Sequence, residues 1–306
     1  MLVHLDTDFG GDTDDLRALA WLLAAPDVDL IGMTTCIDPV GRRAGYVHAT
    51  LALADRDTIP VAAGAAGSLA GYDGPWGFPP EDEFWPEPVV PRPSPAGDAL
   101  SLLERSVLAG ATIIAIGPYT NLAMLEALRP GLLTSTRVVV MGGTLRQPRP
   151  GLPPWGPDKD WNIQADIVSA RLVAERCSPV IVPVDVTLET WLCQRDLAAL
   201  RAASPLGALM ARQAEAHARH ESSGRMGREH AALPDDFLCF QYDPLACAIA
   251  VGWDGAQIET VPLRWEQRER SLVPVMDHGG VATRVVARVD GERFNRYWLD
   301  TVTTHQ

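Results

Sequence analysis

Short Val- and Ile-rich runs alternate with stretches of helical periodicity, and this alternation constrains the fold more than any other feature of the sequence. Each run is bounded by Gly, Pro or Asp, as is typical of strands that are buried on both faces. The predicted strands are residues 2–5, 29–35, 59–63, 112–116, 137–141 and 179–184. The predicted helices are residues 14–25, 42–54, 97–109, 122–128 and 166–176. Strands that alternate with helices predict an α/β fold, doubly wound, with a mostly parallel central sheet and helices on both faces.

The predicted domain organisation is a single domain over residues 1–306. Two segments interrupt the alternation. Residues 71–96 are rich in proline and aromatic side chains, which predicts an irregular excursion that acts as a loop or lid. Residues 217–236 carry three histidines, three arginines and two glycines, which predicts a mobile loop. A polar loop over the site and a disordered surface loop are equal alternatives for that segment. The C-terminal part is predicted to form strands at 258–265, 272–275 and 283–289, followed by a helix at 291–302.

Charge and composition exclude several classes of partner. The chain has 26 basic and 39 acidic residues and a net charge of −13, so a nucleic-acid partner is not expected. The five cysteines are odd in number and scattered, as is typical of reduced thiols in a cytoplasmic protein. No segment approaches 18 uninterrupted apolar residues, so no membrane partner is expected. We therefore expect a soluble, cytoplasmic protein.

The strongest chemical signal is a cluster of carboxylates directly after the first predicted strand. Asp6, Asp8, Asp12, Asp14 and Asp15 fall within ten residues, and such a cluster repels itself unless a cation or hydrogen bonds spread its charge. The hard oxygen donors point to Ca²⁺ or Mg²⁺ rather than to zinc. Helix capping is the alternative for one or two of the last three carboxylates. It does not account for Asp6 and Asp8, which end an apolar strand.

This turn resembles the first turn of the inosine-uridine preferring nucleoside hydrolases. Further blocks agree in the same order along the chain: IGPYTNLA at 116–123, VMGG at 140–143, DWN at 160–162, VPVDVT at 182–187, DPLA at 243–246 and VDGERF at 289–294. The resemblance extends from residue 3 to about residue 300. It implies an N-glycosidase that releases the free base and ribose from a small-molecule nucleoside, and it suggests a homodimer or homotetramer.

The resemblance also implies one Ca²⁺ ion at the bottom of the pocket. Its ligands by motif are Asp8, Asp15, the main-chain carbonyl of Thr120, and Asp243. Asp8 is the predicted general base, which takes a proton from the attacking water.

The ribose contacts implied by the resemblance are Asp14, Asp160 and Asn162, with Met141 packing on the sugar. The first turn has two more residues than the common form, so Asp12 is an alternative to Asp14 for the ribose hydroxyls. Asp160 stands where the family more often has Glu. A helix cap is the alternative role for Asn162.

The base half of the pocket departs from the family pattern. Asp38 lies near the position of a family Asn and is a predicted substrate contact. Tyr242 replaces the His that protonates the leaving group in many members, and simple packing is its alternative role. Base stacking on Trp155, Trp161, Trp76 or Trp191, or help from His230 or Arg225, is the other possibility. The atypical base half leaves two alternatives open: a non-catalytic ribose- or nucleoside-binding protein, and a hydrolase of a modified nucleoside.

Overall fold

The apolar runs form the strands of one central sheet. The computed structural model describes residues 1–71 and 78–304. Its strands are β1 (Leu2–Thr7), β2 (Asp29–Thr35), β3 (Val61–Ala63), β4 (Thr112–Ala115), β5 (Val138–Met141), β6 (Val180–Val182), β7 (Trp191–Cys193), β8 (Phe237–Phe240), β9 (Ala256–Arg268), β10 (Ser271–Met276) and β11 (Val281–Val289). Nine of these strands form one sheet in the order β10-β9-β11-β6-β5-β4-β1-β2-β3, and β7 pairs with β8 in a separate sheet.

The pairing confirms the predicted mostly parallel sheet. The pairs from β3 to β11 along this order are all parallel. Only β9 and β10 add antiparallel pairs at one edge. The chain builds outward from β1 to β3 on one side and from β4 to β6 on the other. The strand order therefore reverses between β1 and β4, and a crevice opens there at the carboxyl ends of the strands.

Helices cover both faces of the sheet. They are α1 (Asp14–Ala24), α2 (Arg42–Leu53), α3 (Glu81–Phe84), α4 (Asp98–Leu108), α5 (Thr120–Leu128), α6 (Trp161–Gln164), α7 (Ile167–Arg176), α8 (Val184–Thr187), α9 (Leu197–Ala203), α10 (Pro205–His220), α11 (Ser223–Glu229), α12 (Tyr242–Ala250) and α13 (Gly291–Thr304). Within β5, Val139 and Met141 join the core that contains α1, α12 and α13, whereas Val138 and Val140 join the core that contains α4, α5 and α7. Successive strand residues point to opposite faces, so both layers bury their apolar sides on the same strands.

The segment 217–236 corrects one prediction. Helix α10 continues through the expected loop to His220, and α11 follows directly. Ser222, at φ 55°, makes the break between them. Glycines and charges suggested a loop, but Ala, Arg, Met and Glu in this segment are good helix formers.

Residues 78–96 of the predicted excursion are irregular apart from the one turn of α3. The guanidinium of Arg212 on α10 donates hydrogen bonds to the main-chain carbonyls of Asp82 and Glu83. The excursion is thereby fixed to α10. In the part of the chain that the structure describes, no helix has both the length and the apolar character to cross a membrane.

A chain of buried hydrogen bonds crosses the sheet below the acidic turn. The ring of His4 lies 2.9 Å from the hydroxyl of Ser106 through Nδ1 and 3.0 Å from the hydroxyl of Thr34 through Nε2. Thr34 donates to Oδ1 of Asp6 at 2.5 Å, and the amide of Asn121 donates to the same oxygen at 2.7 Å. Because the proton of Thr34 goes to Asp6, Nε2 of His4 is the donor and Nδ1 accepts from Ser106. The ring is therefore neutral, and burial lowers the pKa of His4 to about 3.

Candidate active site

A cavity of about 500 Å³ opens at the carboxyl ends of β1, β4 and β5, where the strand order reverses. This volume lies within the range of small-molecule sites. Its floor comes from the acidic turn, and its walls come from the segment after β5, the end of α10, and β8. Of the predicted site residues, those that line it are Asp8, Asp14, Asp15, Met141, Trp155, Asp160, Asn162, Tyr242 and Asp243.

Three carboxylates meet on the floor of the cavity. Ligand atoms of Asp14, Asp15 and Asp243 all lie within 4.8 Å of one another, and all three residues are buried. Asp14 and Asp15 lie in the first turn of α1, and Asp243 lies in the first turn of α12. The free amides and the dipole of a helix N-terminus favour negative charge. Two helix starts that converge on one point thus bring together carboxylates that are 228 positions apart in the sequence.

This cluster fits a divalent cation held by oxygen ligands. Burial, with the charge of Asp12, raises the pKa of Asp14 to about 8. Burial and the neighbouring carboxylates raise the pKa values of Asp15 and Asp243 well above the usual range. Without a cation the cluster therefore retains protons at neutral pH. Such closely spaced carboxylates are the donor set that hard cations prefer.

Asp8 lies beside this trio at the end of β1. Its Oδ2 accepts a hydrogen bond of 2.9 Å from the indole Nε1 of Trp161. The buried guanidinium of Arg43 donates to the main-chain carbonyls of Asp8 and Phe9, which fixes the backbone of the turn. Burial raises the pKa of Asp8, while the charge of Arg43 and the bond from Trp161 act in the opposite direction. A raised pKa suits a group that has to accept a proton near neutrality.

Thr120, the predicted carbonyl ligand, begins α5 and is buried. It is not part of the described cavity wall. Its hydroxyl donates to Oδ2 of Asp166 at 2.7 Å. The role of its carbonyl stays a prediction.

The predicted ribose contacts Met141, Asp160 and Asn162 lie together on one wall. The amide of Asn162 donates to the carbonyls of Ile116 at 3.0 Å and Met141 at 3.1 Å, so it joins the ends of β4 and β5. Asp160, rather than Asn162, is the helix cap here: its carboxylate accepts from the amides of Gly143 at 2.6 Å and Ile163 at 3.3 Å. Burial raises the pKa of Asp160 to about 7.

Asp38 is the clearest departure from the predicted substrate contacts. Its carboxylate accepts from the hydroxyl of Thr35 at 2.8 Å and from the amides of Arg43 at 3.1 Å and Ala44 at 2.9 Å. It therefore caps α2, and it is not part of the described wall of the cavity. The free amides at the start of α2 compete for this side chain, because a carboxylate satisfies them directly.

Aromatic side chains form the outer wall. Trp155 contacts Phe240 edge to face at 5.5 Å between ring centroids, and Phe240 contacts Tyr242 at the same distance. Burial and the carboxylates of Asp12 and Asp14 raise the pKa of Tyr242 well above its usual range. A phenol in this setting is a weak proton donor at neutral pH, which favours the packing role.

The other three tryptophans predicted to stack on the base do not lie at one site. Trp161 lines the cavity, whereas Trp191 lies at a second cavity beside α13, and Trp76 lies outside the described residues.

The histidines differ from the prediction. His230 caps the end of α11 and is not part of the described cavity wall, and Arg225 forms an exposed ion pair with Glu229. His217 and His220, one turn apart on α10, line the cavity instead. Their spacing of three positions would have placed them on one face of a helix, had the helix been predicted to continue.

Comparison with known proteins agrees with this geometry. The sequence model of the inosine-uridine preferring nucleoside hydrolases matches residues 3–296. A pyrimidine-specific ribonucleoside hydrolase, RihA of Salmonella schwarzengrund, is 29% identical over 254 residues, which cover 76% of each chain. RihA of Klebsiella pneumoniae is 28% identical over 252 residues with the same coverage.

Two solved structures share the fold. A plant nucleoside hydrolase, PpNRh1, superposes with a TM-score of 0.81 at 21% identity and 99% coverage of both chains. A purine-preferring ribonucleoside hydrolase from Gardnerella vaginalis superposes with a TM-score of 0.78 at 20% identity and 98% coverage of both. A family match over nearly the whole chain, together with the shared fold and the buried carboxylates, establishes that this chain is an N-glycosidase and belongs to the inosine-uridine preferring nucleoside hydrolase family.

Proposed function

We propose that this protein hydrolyses the N-glycosidic bond of a ribonucleoside to the free base and ribose, in a calcium-dependent reaction with Asp8 as the general base. The observation that carries the proposal is the trio Asp14, Asp15 and Asp243, buried within 4.8 Å of one another on the floor of a cavity that Asp8 also lines. A site built from hard oxygen donors and open to a small molecule suits a cation-assisted hydrolysis.

Calcium would be held by Asp8, Asp15, the carbonyl of Thr120, and Asp243. When bound, the ion supplies positive charge that lowers the pKa of a nearby water and orients the ribose hydroxyls. The donor set supports calcium, because none of these residues offers nitrogen or sulfur.

Asp8 takes the proton of the attacking water as the new C1′–O bond forms. The hydrogen bond from the indole of Trp161 to Oδ2 orients the carboxylate of Asp8 in the cavity wall. Cleavage of a nucleoside passes through an oxocarbenium-like state, and the negative charge around Asp8 stabilises the positive charge that develops on the sugar.

The ribose would bind between the acidic floor and the wall formed by Asn162 and Met141. Asp14 is the better partner for the ribose hydroxyls because it is buried at the floor beside Asp243. Asp12 lies further out, where its carboxylate contacts His217. Asp160 has both carboxylate oxygens engaged by backbone amides, so its contribution is to shape this wall.

The base would lie against the aromatic wall of Trp155, Phe240 and Tyr242. A flat apolar wall suits the stacking of a nucleobase. The curated relatives are named for pyrimidine nucleosides and one structural relative for purines, so we propose a ribonucleoside without assigning the base.

The expected location is the cytoplasm, and its support is that all five cysteines are buried and unpaired. The expected homodimer or homotetramer follows from the family resemblance and is tested by the mass of the protein in solution.

The test is a screen of purine and pyrimidine ribonucleosides for the release of reducing sugar. We expect at least one to be cleaved, and we expect a chelator to abolish the cleavage and added Ca²⁺ to restore it. If the protein binds nucleosides but cleaves none in the presence of Ca²⁺, the hydrolase proposal is wrong. If cleavage continues at full rate in chelator, only the calcium dependence is wrong.

A further inference from the structure

The mechanism above leaves the departing base without a proton donor. When the C1′–N bond breaks, the bonding electron pair stays on the base nitrogen, and a natural base leaves slowly unless that charge is neutralised. Tyr242 stands at the family's position for the acid, but it lies among carboxylates that disfavour loss of its proton.

We propose that His217, held by Asp12, donates the proton to the leaving base. The inference rests on the proposed hydrolysis and assigns a second catalytic side chain to it. His217 lies in the last turn of α10, and its ring lines the same cavity as Asp8, Asp14 and Asp243. Its side chain is 19% exposed, so it reaches both the cavity and the solvent that returns its proton.

The contact with Asp12 orients the imidazole. Nδ1 of His217 lies 3.5 Å from Oδ1 of Asp12. Among residues 1–71 and 78–304 the ring has no second polar partner, which leaves Nε2 for the substrate. A carboxylate beside one ring nitrogen fixes the orientation of the imidazole, as in other acid–base pairs of enzymes.

Asp12 itself is anchored to the floor of the site. Its Oδ1 accepts from the amide of Thr13 at 2.5 Å. The hydroxyl of Thr13 in turn accepts from Arg17 at 2.6 Å, and Arg17, a buried residue of α1, donates to the carbonyl of Phe240 at 2.7 Å. The Asp12–His217 pair is therefore attached to the residues that hold the carboxylate trio and the aromatic wall.

The other cationic side chains of the cavity wall are less suited to this role. Nε2 of His220 contacts Glu83 at 3.1 Å, at the exposed rim. The guanidinium of Arg43 donates to main-chain carbonyls beneath the acidic turn. Lys159 lines the cavity but is exposed to solvent, and no carboxylate in the described part of the chain pairs with it as Asp12 does with His217.

The step balances without a further reactant. The proton on Nε2 of His217 moves to the base nitrogen as that nitrogen takes the electron pair of the C1′–N bond. Water supplies the oxygen that bonds to C1′, and Asp8 takes the proton that the water loses. His217 regains a proton from solvent after the base has left.

The test compares His217→Gln with the wild type on two kinds of substrate, uridine or inosine and p-nitrophenyl β-ribofuranoside. The nitrophenolate needs no proton to leave. We expect kcat on the nucleoside to fall by roughly 10²-fold, the typical contribution of a general acid, with kcat on the activated riboside nearly unchanged. His278→Gln, the same substitution in an exposed turn, is the control and should match the wild type on both.

Three results for His217→Gln would overturn the acid role without affecting the proposed hydrolase activity: an equal loss of kcat on both substrates, no loss of kcat on either, or a rise in KM alone. If the wild type cleaves neither substrate, the proposed function fails and the acid role fails with it. Asp12→Asn is the second variant, because its half-exposed side chain can be replaced without opening the core. Asp12→Asn should lower kcat on the nucleoside by a smaller factor than His217→Gln does, with kcat on the activated riboside again nearly unchanged. Equal losses of kcat on the two substrates would contradict the positioning of His217 by Asp12.

Discussion

Binding of a divalent cation should release protons from the floor of the cavity. In protein stripped of metal, the pKa of Asp14 is raised to about 8. At pH 7 this carboxyl is then ~90% protonated, because the pH lies one unit below that pKa. The pKa values of Asp15 and Asp243 are also raised well above the usual range. A bound cation favours the charged forms of these carboxylates, so binding should release at least about one proton per ion at pH 7.

The pH dependence has a defined sign. Because protons compete with the cation, the Kd should fall as pH rises, by at least about tenfold between pH 6 and pH 7. The effect should weaken above pH 8, where Asp14 has lost its proton. Affinity that falls with rising pH would have the wrong sign.

Isothermal titration of the stripped protein with Ca²⁺ measures this release directly. The same titration is run in two buffers of different ionisation enthalpy that do not bind calcium, and the difference in heat gives the number of protons. Asp14→Asn is the matched control, and its release should be smaller by about one proton at pH 7. Calcium binding without proton release, and with a Kd independent of pH between 6 and 8, would refute the reasoning.

Three further predictions concern single side chains. Asp8→Asn should lower kcat by roughly 10²-fold or more. Metal content is measured in the same sample, because Asp8 is also a proposed ligand of the ion. Full activity at normal metal content would show that Asp8 is not the general base. Tyr242→Phe should lower kcat by far less than 10²-fold, on nucleosides and on the activated riboside alike, because the phenol packs in the aromatic wall. A large loss of kcat on nucleosides alone would identify Tyr242 as the acid. His4 is neutral in the folded protein, with a pKa of about 3, and gains a proton on unfolding below pH 6.5, so the free energy of unfolding falls as the pH falls. Between pH 7 and pH 5 the wild type should lose about 2 kcal/mol more of this free energy than His4→Gln, measured by chemical denaturation at the two pH values. Equal losses in the two proteins would contradict the burial of His4 as a neutral ring.

Much of the fold could be predicted because its signals are local and periodic. The predicted strand 29–35 coincides with β2, and the predicted helix 14–25 ends one residue beyond α1. Within the carboxylate trio, the place of Asp14 and Asp15 follows from the same reasoning, since a parallel sheet brings the ends of its strands to one edge. Asp243 begins α12 after β8, outside that sheet, and only the family resemblance implied its place at the site. The pair β7–β8 was missed because both strands are short and 43 residues separate Cys193 from Phe237, so that only tertiary packing selects it.

The differences between the predicted and the observed placement of site residues have another cause. Asp38 follows the predicted strand as expected, but the direction of its side chain depends on the amides of α2, which the sequence does not specify. The sequence predicts a loop around His217, and only the place of His217 in the last turn of α10 brings it to the cavity. The sequence identified the chemistry-bearing segments, whereas competing local hydrogen bonds decide which of their side chains face the substrate.

The buried chain from Ser106 through His4, Thr34 and Asp6 to Asn121 has a consequence for how this family diversifies. Each member satisfies its neighbour, so a single apolar replacement leaves a buried polar partner unpaired at a cost of about 1–3 kcal/mol. Replacing the whole set together reduces that cost, because inside the set no orphaned group remains and only the amide of Ala65 and the carbonyl of Thr35, which bond Asn121, lose a partner. Substitutions along this line should therefore be strongly epistatic, and related sequences are expected to keep the five residues as a unit or exchange them as a unit.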